Sequence, residues 1–123
     1  MGIALWLVQA LLAAAFLVSG ATKLSRPKEK LLENLAWVED FSQPTVYAIG
    51  ALEVLGAIGI VLPALTSILP SLTPLAALGL ALTMIGAALT HLRRAEYGPI
   101  AVTAVLLILA AFVAYGRFFV LPA

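Results

Sequence analysis

The chain has 123 residues, 63% of them hydrophobic and 11% charged, with a formal net charge of +1. Soluble domains average about 45–50% apolar and about 25% charged residues, so an ordinary soluble globule is excluded, and a charge balance this close to neutral gives no field for nucleic acid. With no cysteine and one histidine, thiolate metal sites, iron–sulfur clusters, disulfide exchange and multi-histidine metal sites are excluded within one chain, and no metal site is expected.

Four spans of about 20 residues each need about 80, which a single domain over residues 1–123 accommodates. The expected fold is all-α: a polytopic membrane protein built as a four-transmembrane-helix bundle. The first 22 residues carry no charged side chain, and Ile3–Ala21 is predicted as the first span. No basic region precedes its apolar run, so it reads as a retained helix, not as a signal peptide.

The link Lys23–Gln43 differs in character. Ser25 followed by Pro27 resembles an N-cap and a proline-permitted first turn. Leu31, Leu32, Leu35, Ala36 and Val38 recur at helical spacing between Lys28, Lys30, Glu33 and Glu39, which predicts a short amphipathic interfacial helix over Pro27–Asp40. A soluble cytoplasmic helix would have the same pattern.

From Val54 to Thr90 no residue is charged for 37 positions, too many for one straight span at about 1.5 Å per residue. Pro63, Pro70 and Pro74 stand among Thr66, Ser67, Ser71 and Thr73, so the chain is expected to turn there. The spans on either side are predicted at Thr45–Leu62 and Pro74–Leu92, with a loosely ordered hairpin at Pro63–Thr73. The fourth span is predicted at Pro99–Val120.

Lys23, Arg26, Lys28, Lys30, Arg93 and Arg94 fall on one side of such a bundle and Arg117 alone on the other. The positive-inside rule then makes both charged links cytoplasmic and both termini non-cytoplasmic. Trp37, Tyr47 and Tyr97 on the inner side, and Trp6, Tyr115, Phe118 and Phe119 on the outer, suit the two interfaces.

Glu53 lies near the middle of the second span, where a carboxylate costs roughly 2.5–3.5 kcal/mol, so it is expected to face inward and carry function. Gly50, Gly56 and Ala57 bracket it at three or four residues and permit close helix approach. Lys23 and His91 are at the same end of the bundle. A Lys23–Glu53 contact needs a modest tilt or a bridging water; taken alone, Lys23 also reads as a snorkelling anchor. Ser19, Thr83, Ala87 and Thr90 are placed to line the space between. The predicted polar cluster is thus Glu53, Lys23, His91, Ser19, Thr83 and Thr90, none with an assigned catalytic role. Gln9 reads as an interhelical hydrogen bond, and Gly79 and Gly86 as packing contacts.

The sequence places Gly20-Ala21-Thr22-Lys23-Leu24 at the end of the first span, Gly50-Ala51-Leu52-Glu53-Val54-Leu55-Gly56-Ala57 in the second, and Gly86-Ala87-Ala88-Leu89-Thr90-His91 in the third. This set, over most of the chain, resembles the DoxX-like family of small four-helix membrane proteins. By that resemblance Lys23, Glu53 and His91 map onto the family's recurring polar positions, and the bacterial inner (plasma) membrane is the expected location. Three roles compete: the polar cluster in an apolar bundle suits an accessory protein binding a hydrophobic ligand such as a quinone or lipid, the resemblance implies a membrane subunit of a quinone-linked redox complex or an assembly factor, and a small transporter is the other alternative. The chain has no flavin or haem attachment motif, so no intrinsic cofactor is expected and a quinone would be a diffusible one. The chain on its own is not expected to be an enzyme. Besides the lipid bilayer, the expected partners are a membrane redox or client protein and a second copy of the chain.

Overall fold

The computed structural model describes residues 2–33 and 35–122. Its helices are α1 (Gly2–Ser25), α2 (Lys28–Leu31), a 3-10 helix (Ala36–Asp40), α3 (Gln43–Gly59), α4 (Leu62–Thr66), α5 (Leu72–Arg93) and α6 (Tyr97–Tyr115), the last continued by a π-helical turn (Gly116–Val120). There is no strand among the described residues. Four helical stretches, Gly2–Ser25, Gln43–Thr66, Leu72–Arg93 and Tyr97–Val120, are long and apolar enough to cross a membrane. The chain is an integral membrane protein of four spans.

Each span is apolar around most of its circumference, yet one stripe turns inward. On α1 the buried residues are Leu5, Gln9, Leu12, Phe16, Gly20 and Lys23; on α3 they are Val46, Gly50, Glu53 and Ala57. Both series step by three or four, the spacing that keeps side chains on one helix face. Leucines, isoleucines and valines elsewhere on the spans stay exposed, as a lipid-facing surface requires.

The four spans form two close pairs, α1 with α3 and α5 with α6, with sparser contact between the pairs. In the first pair, a Cβ on Gly20 would fall 2.6 Å from the Gly50 carbonyl oxygen, and one on Gly50 would fall 2.9 Å from the Gly20 oxygen. The backbones therefore cross with no room for a side chain. Between the pairs, Gly56 meets Leu80 and Gly59 meets Ala76. The main core, including Leu12, Phe16, Ile60, Leu80, Ala110 and Val113, fills the half of the bundle near the 67–71 turn, leaving the half near the charged links less filled.

Three local expectations change. The link is not one helix over Pro27–Asp40; position 34 lies outside the described residues, and at Leu35 the backbone leaves the helix (φ −126°, ψ 83°). Folding the link this way buries Leu31 and Val38 against Val46, with Leu35, Trp37 and Phe41 around them. Burying such side chains gains about 1.5–3 kcal/mol each, more than an isolated short helix offers. Ser25 ends α1, and Pro27 takes the N-cap position of α2. The hairpin expected over Pro63–Thr73 is partly helical: α4 holds Pro63 in its first turn, α5 begins before Pro74, and the turn between them uses left-handed residues Ser67 and Leu69. Finally, Gly79 and Gly86 are not packing contacts, since a Cβ on either would meet nothing within 4 Å.

Candidate functional site

The Gly20–Gly50 crossing brings one turn of α1 directly over Glu53. Lys23 Nζ donates to Glu53 Oε1 at 2.7 Å and to Ser19 Oγ at 2.6 Å. Ser19 Oγ in turn donates to Glu53 Oε2 at 3.2 Å. Lys23 is only 6% exposed and Glu53 3%, so the lysine is a buried counter-ion and not a snorkelling anchor. The contact is direct, with no bridging water needed, because α1 runs on to Ser25 and the two backbones touch. The ammonium also lies 5.5 Å from the centre of the Trp37 ring, within cation–π range.

His91 does not pair with Glu53. Its Nδ1 lies 2.9 Å from Glu96 Oε1, and the reason is the end of α5. The Ala95 amide donates to Leu92 O and the Glu96 amide to His91 O, a Schellman closure with its left-handed residue at Ala95 (φ 57°). That turn folds Glu96 back onto His91. The His91 hydrogen bond, followed by that from Arg94, holds the Glu96 carboxyl below the usual carboxylate range against the opposing effect of burial. An ionised Glu96 is an acceptor only, so His91 donates to it from Nδ1.

Arg94 ties this end to the link, with Nη1 3.0 Å from Asp40 and Nε 3.2 Å from Glu96. Hydrogen bonds from these carboxylates, Asp40 first and Glu96 second, raise the guanidinium above its ordinary value. The link thereby closes over the space between the helix pairs.

That space is a chamber of about 870 Å³, and Ser19, Lys23, Glu53, Thr83, Thr90 and His91 all line it. All six residues of the predicted cluster thus share one cavity, although only Ser19, Lys23 and Glu53 touch one another. Thr83 Oγ1 donates to Gly79 O at 2.9 Å and Thr90 Oγ1 to Gly86 O at 3.0 Å, so both hydroxyls are committed to their own helix. Most of the remaining wall is apolar, with Phe16, Ile49, Met84 and Leu106 among its residues. Ligand sites of about 300–1,000 Å³ with a few placed polar groups are the usual pattern for small molecules.

A profile of the DoxX-like family matches residues 7–113, most of the chain. This protein belongs to the DoxX-like family. No curated protein and no solved structure matches it.

In this DoxX-like protein two groups escape a reading of the sequence. Glu96 stands five residues beyond His91, outside helical i,i+4 reach, and Ala95 gives no glycine signal for the turn that joins them. Arg117, read as a lone outer-face charge, is 5% exposed. It donates from Nε to Gln9 Oε1 at 2.8 Å and from Nη1 to Leu121 O at 3.1 Å, and lies 5.3 Å from the Trp6 ring centre. Gln9 Nε2 donates to Ile60 O at 2.7 Å, where the break between α3 and α4 frees that carbonyl. Among the described residues no cluster of histidine and carboxylate groups is arranged to hold a metal ion.

Proposed function

We propose that this DoxX-like protein is a non-catalytic accessory protein of the bacterial inner membrane that binds a hydrophobic ligand, a quinone or lipid, in the chamber between its two helix pairs. The observation that carries this reading is the coincidence of a buried Lys23–Glu53 pair with an 870 Å³ cavity of mostly apolar wall. A buried ion pair is costly to maintain and gives little stability over apolar packing; beside open space it has a use, as the polar end of a binding site. The family's link to quinone chemistry suits the residues present: a flat ring fits the volume, and the Trp37 indole N–H and the Lys23 ammonium are donors for its oxygens. Six basic residues on the link side against Arg117 on the other favour cytoplasmic links and non-cytoplasmic termini.

The test uses Trp37, which lines the chamber. In a Trp6→Phe background, decylubiquinone or its reduced form is expected to quench Trp37 fluorescence saturably. Gly86→Phe, which fills the chamber from a position with open space around it, is expected to abolish that saturable component. Quenching that rises linearly and ignores Gly86→Phe would mean simple partitioning into lipid, and the binding reading would fall.

A second reading, a subunit of a quinone-linked redox complex, draws on the Glu96–His91 pair. A histidine oriented by a carboxylate at a ligand chamber is placed to accept or return a proton. Electrons would have to come from a partner protein, so copurifying flavin or haem and quinone reduction by the isolated complex are its tests.

A further inference from the structure

The chamber's hydrogen-bonding capacity is lopsided. Lys23 spends two of its ammonium protons on Ser19 and Glu53, and Ser19 spends its own on Glu53. The hydroxyls of Thr83, Thr90 and Thr103 all donate to carbonyls of their own helices. Apart from the His91 ring, the donors left are the third ammonium proton, beside the Trp37 ring, and the indole N–H of Trp37. Acceptors are more plentiful. Glu53 Oε2 receives only the Ser19 hydroxyl, and each threonine oxygen keeps a lone pair. A head group that only accepts finds few partners here, and an anionic head would also face the Glu53 and Glu96 carboxylates.

The chamber also has a neighbouring hollow on its α3–α5 side. This second hollow, of about 310 Å³, runs along the α3–α5 seam, lined by Leu55, Gly56, Ala76, Gly79 and Leu80. It shares Leu52 and Thr83 with the chamber. Leu52 and Leu55 are 59% and 65% exposed, so the seam faces where lipid would be. An apolar chain gains little by moving from lipid to an apolar groove; what the seam offers is a route by which a chain stays in hydrocarbon while its head sits in the chamber.

We infer that the chamber selects a single-chain amphiphile with a hydroxyl head, either a reduced quinone or a long-chain alcohol, whose chain leaves between α3 and α5 past Leu52 and Thr83. This rests on the binding role proposed above and specifies the head that the site takes. For the quinone source it means preference for the reduced form, whose hydroxyls donate, over the oxidised form, whose carbonyls only accept.

The experiment is native mass spectrometry of the purified full chain released from nanodiscs, with two probe pairs: decylhydroquinone and its dimethyl ether, and farnesol and its methyl ether. Methylation keeps the chain and removes the donor. The hydroxyl form of at least one pair is expected to bind roughly fivefold more tightly than its ether, the factor that one ordinary hydrogen bond supplies. The pair showing it identifies the source. Gly79→Leu, filling the seam where nothing lies within 4 Å, should weaken the hydroxyl probes about threefold or more, while Gly98→Leu, equally open but in neither cavity, should not. Equal binding of hydroxyl and ether in both pairs overturns the head assignment, and indifference to Gly79→Leu overturns the chain route. In either case, saturable and Gly86→Phe-sensitive quenching of Trp37 would leave the binding role standing. If no probe binds and that quenching is absent too, the binding role fails and takes this inference with it.

Discussion

The two ends of the bundle bury cations in opposite ways. Near the links, Lys23 meets a carboxylate, and the pair stands beside open space. Near the 67–71 turn, Arg117 meets an amide oxygen and a backbone carbonyl, and its Nη2 is enclosed without a hydrogen-bond partner. Packing there is tight: a Cβ on Gly116 would lie 2.6 Å from Leu5 Cδ2. An ion pair with room next to it can exchange partners with a ligand. An ion wedged among helix ends ties those ends together. Charge in a membrane protein therefore points to function only when it is read with the space around it.

The sharpest way to break this contrast is to unpair the ions. Glu53→Leu leaves Lys23 buried without its counter-ion and is expected to cost about 3–5 kcal/mol. Lys23→Met combined with Glu53→Leu should recover most of that loss, while still abolishing ligand binding. Thermal unfolding in nanodiscs, run beside Trp37 quenching, reads both. If the double variant binds normally, the pair has no part in the site.

At the other end, Gln9→Leu strands Arg117 Nε and the Ile60 carbonyl, and an expected loss of about 2–3 kcal/mol follows from two unsatisfied buried groups. Ligand binding should be unchanged, which distinguishes a clamp from a site. Gly20→Ala pushes a methyl group into the Gly50 carbonyl and is expected to cost about 2 kcal/mol; here stability and binding should fall together, because the same crossing places Lys23 on Glu53.

Smaller effects belong to the closure of α5. Ala95→Gly relieves the left-handed backbone at that position and should stabilise by about 0.5–1 kcal/mol in the same unfolding assay. Glu96 has a depressed folded-state pKa, so its contribution to stability is present above the ordinary carboxylate value and is lost as pH falls through the depressed one. The stability difference between the wild type and Glu96→Gln should accordingly shrink on the acid side, below the usual carboxylate range. A difference that grew there would have the wrong sign for an ionised Glu96.

The sequence made the spans and half of the site legible for a physical reason: helices surrounded by lipid have few charges, and each charge inside one must be accounted for. Glu53 stood out by depth, and Lys23 and Ser19 followed from its end of the bundle. Glu96 did not, because its meeting with His91 depends on a left-handed turn at an alanine, which no local pattern announces. Arg117 was misread since its distance from the chain's other charges suggested a surface, whereas the π-helical turn at Gly116–Val120 folds it inward. The link misled in a third way: its leucines have helical spacing, but burial against Val46 decides its path.

The pairing of the spans also sets an order of assembly. α1 and α3, and likewise α5 and α6, are neighbours in the chain and pack most closely with each other, so each hairpin can mature soon after its second helix enters the bilayer. The chamber has no existence in either half. It is enclosed only when the halves dock through Gly56 against Leu80 and Gly59 against Ala76. A substitution at that joint, such as Gly56→Leu, should therefore yield two well-formed hairpins that have never been introduced to each other, resistant to proteolysis separately and empty of ligand together.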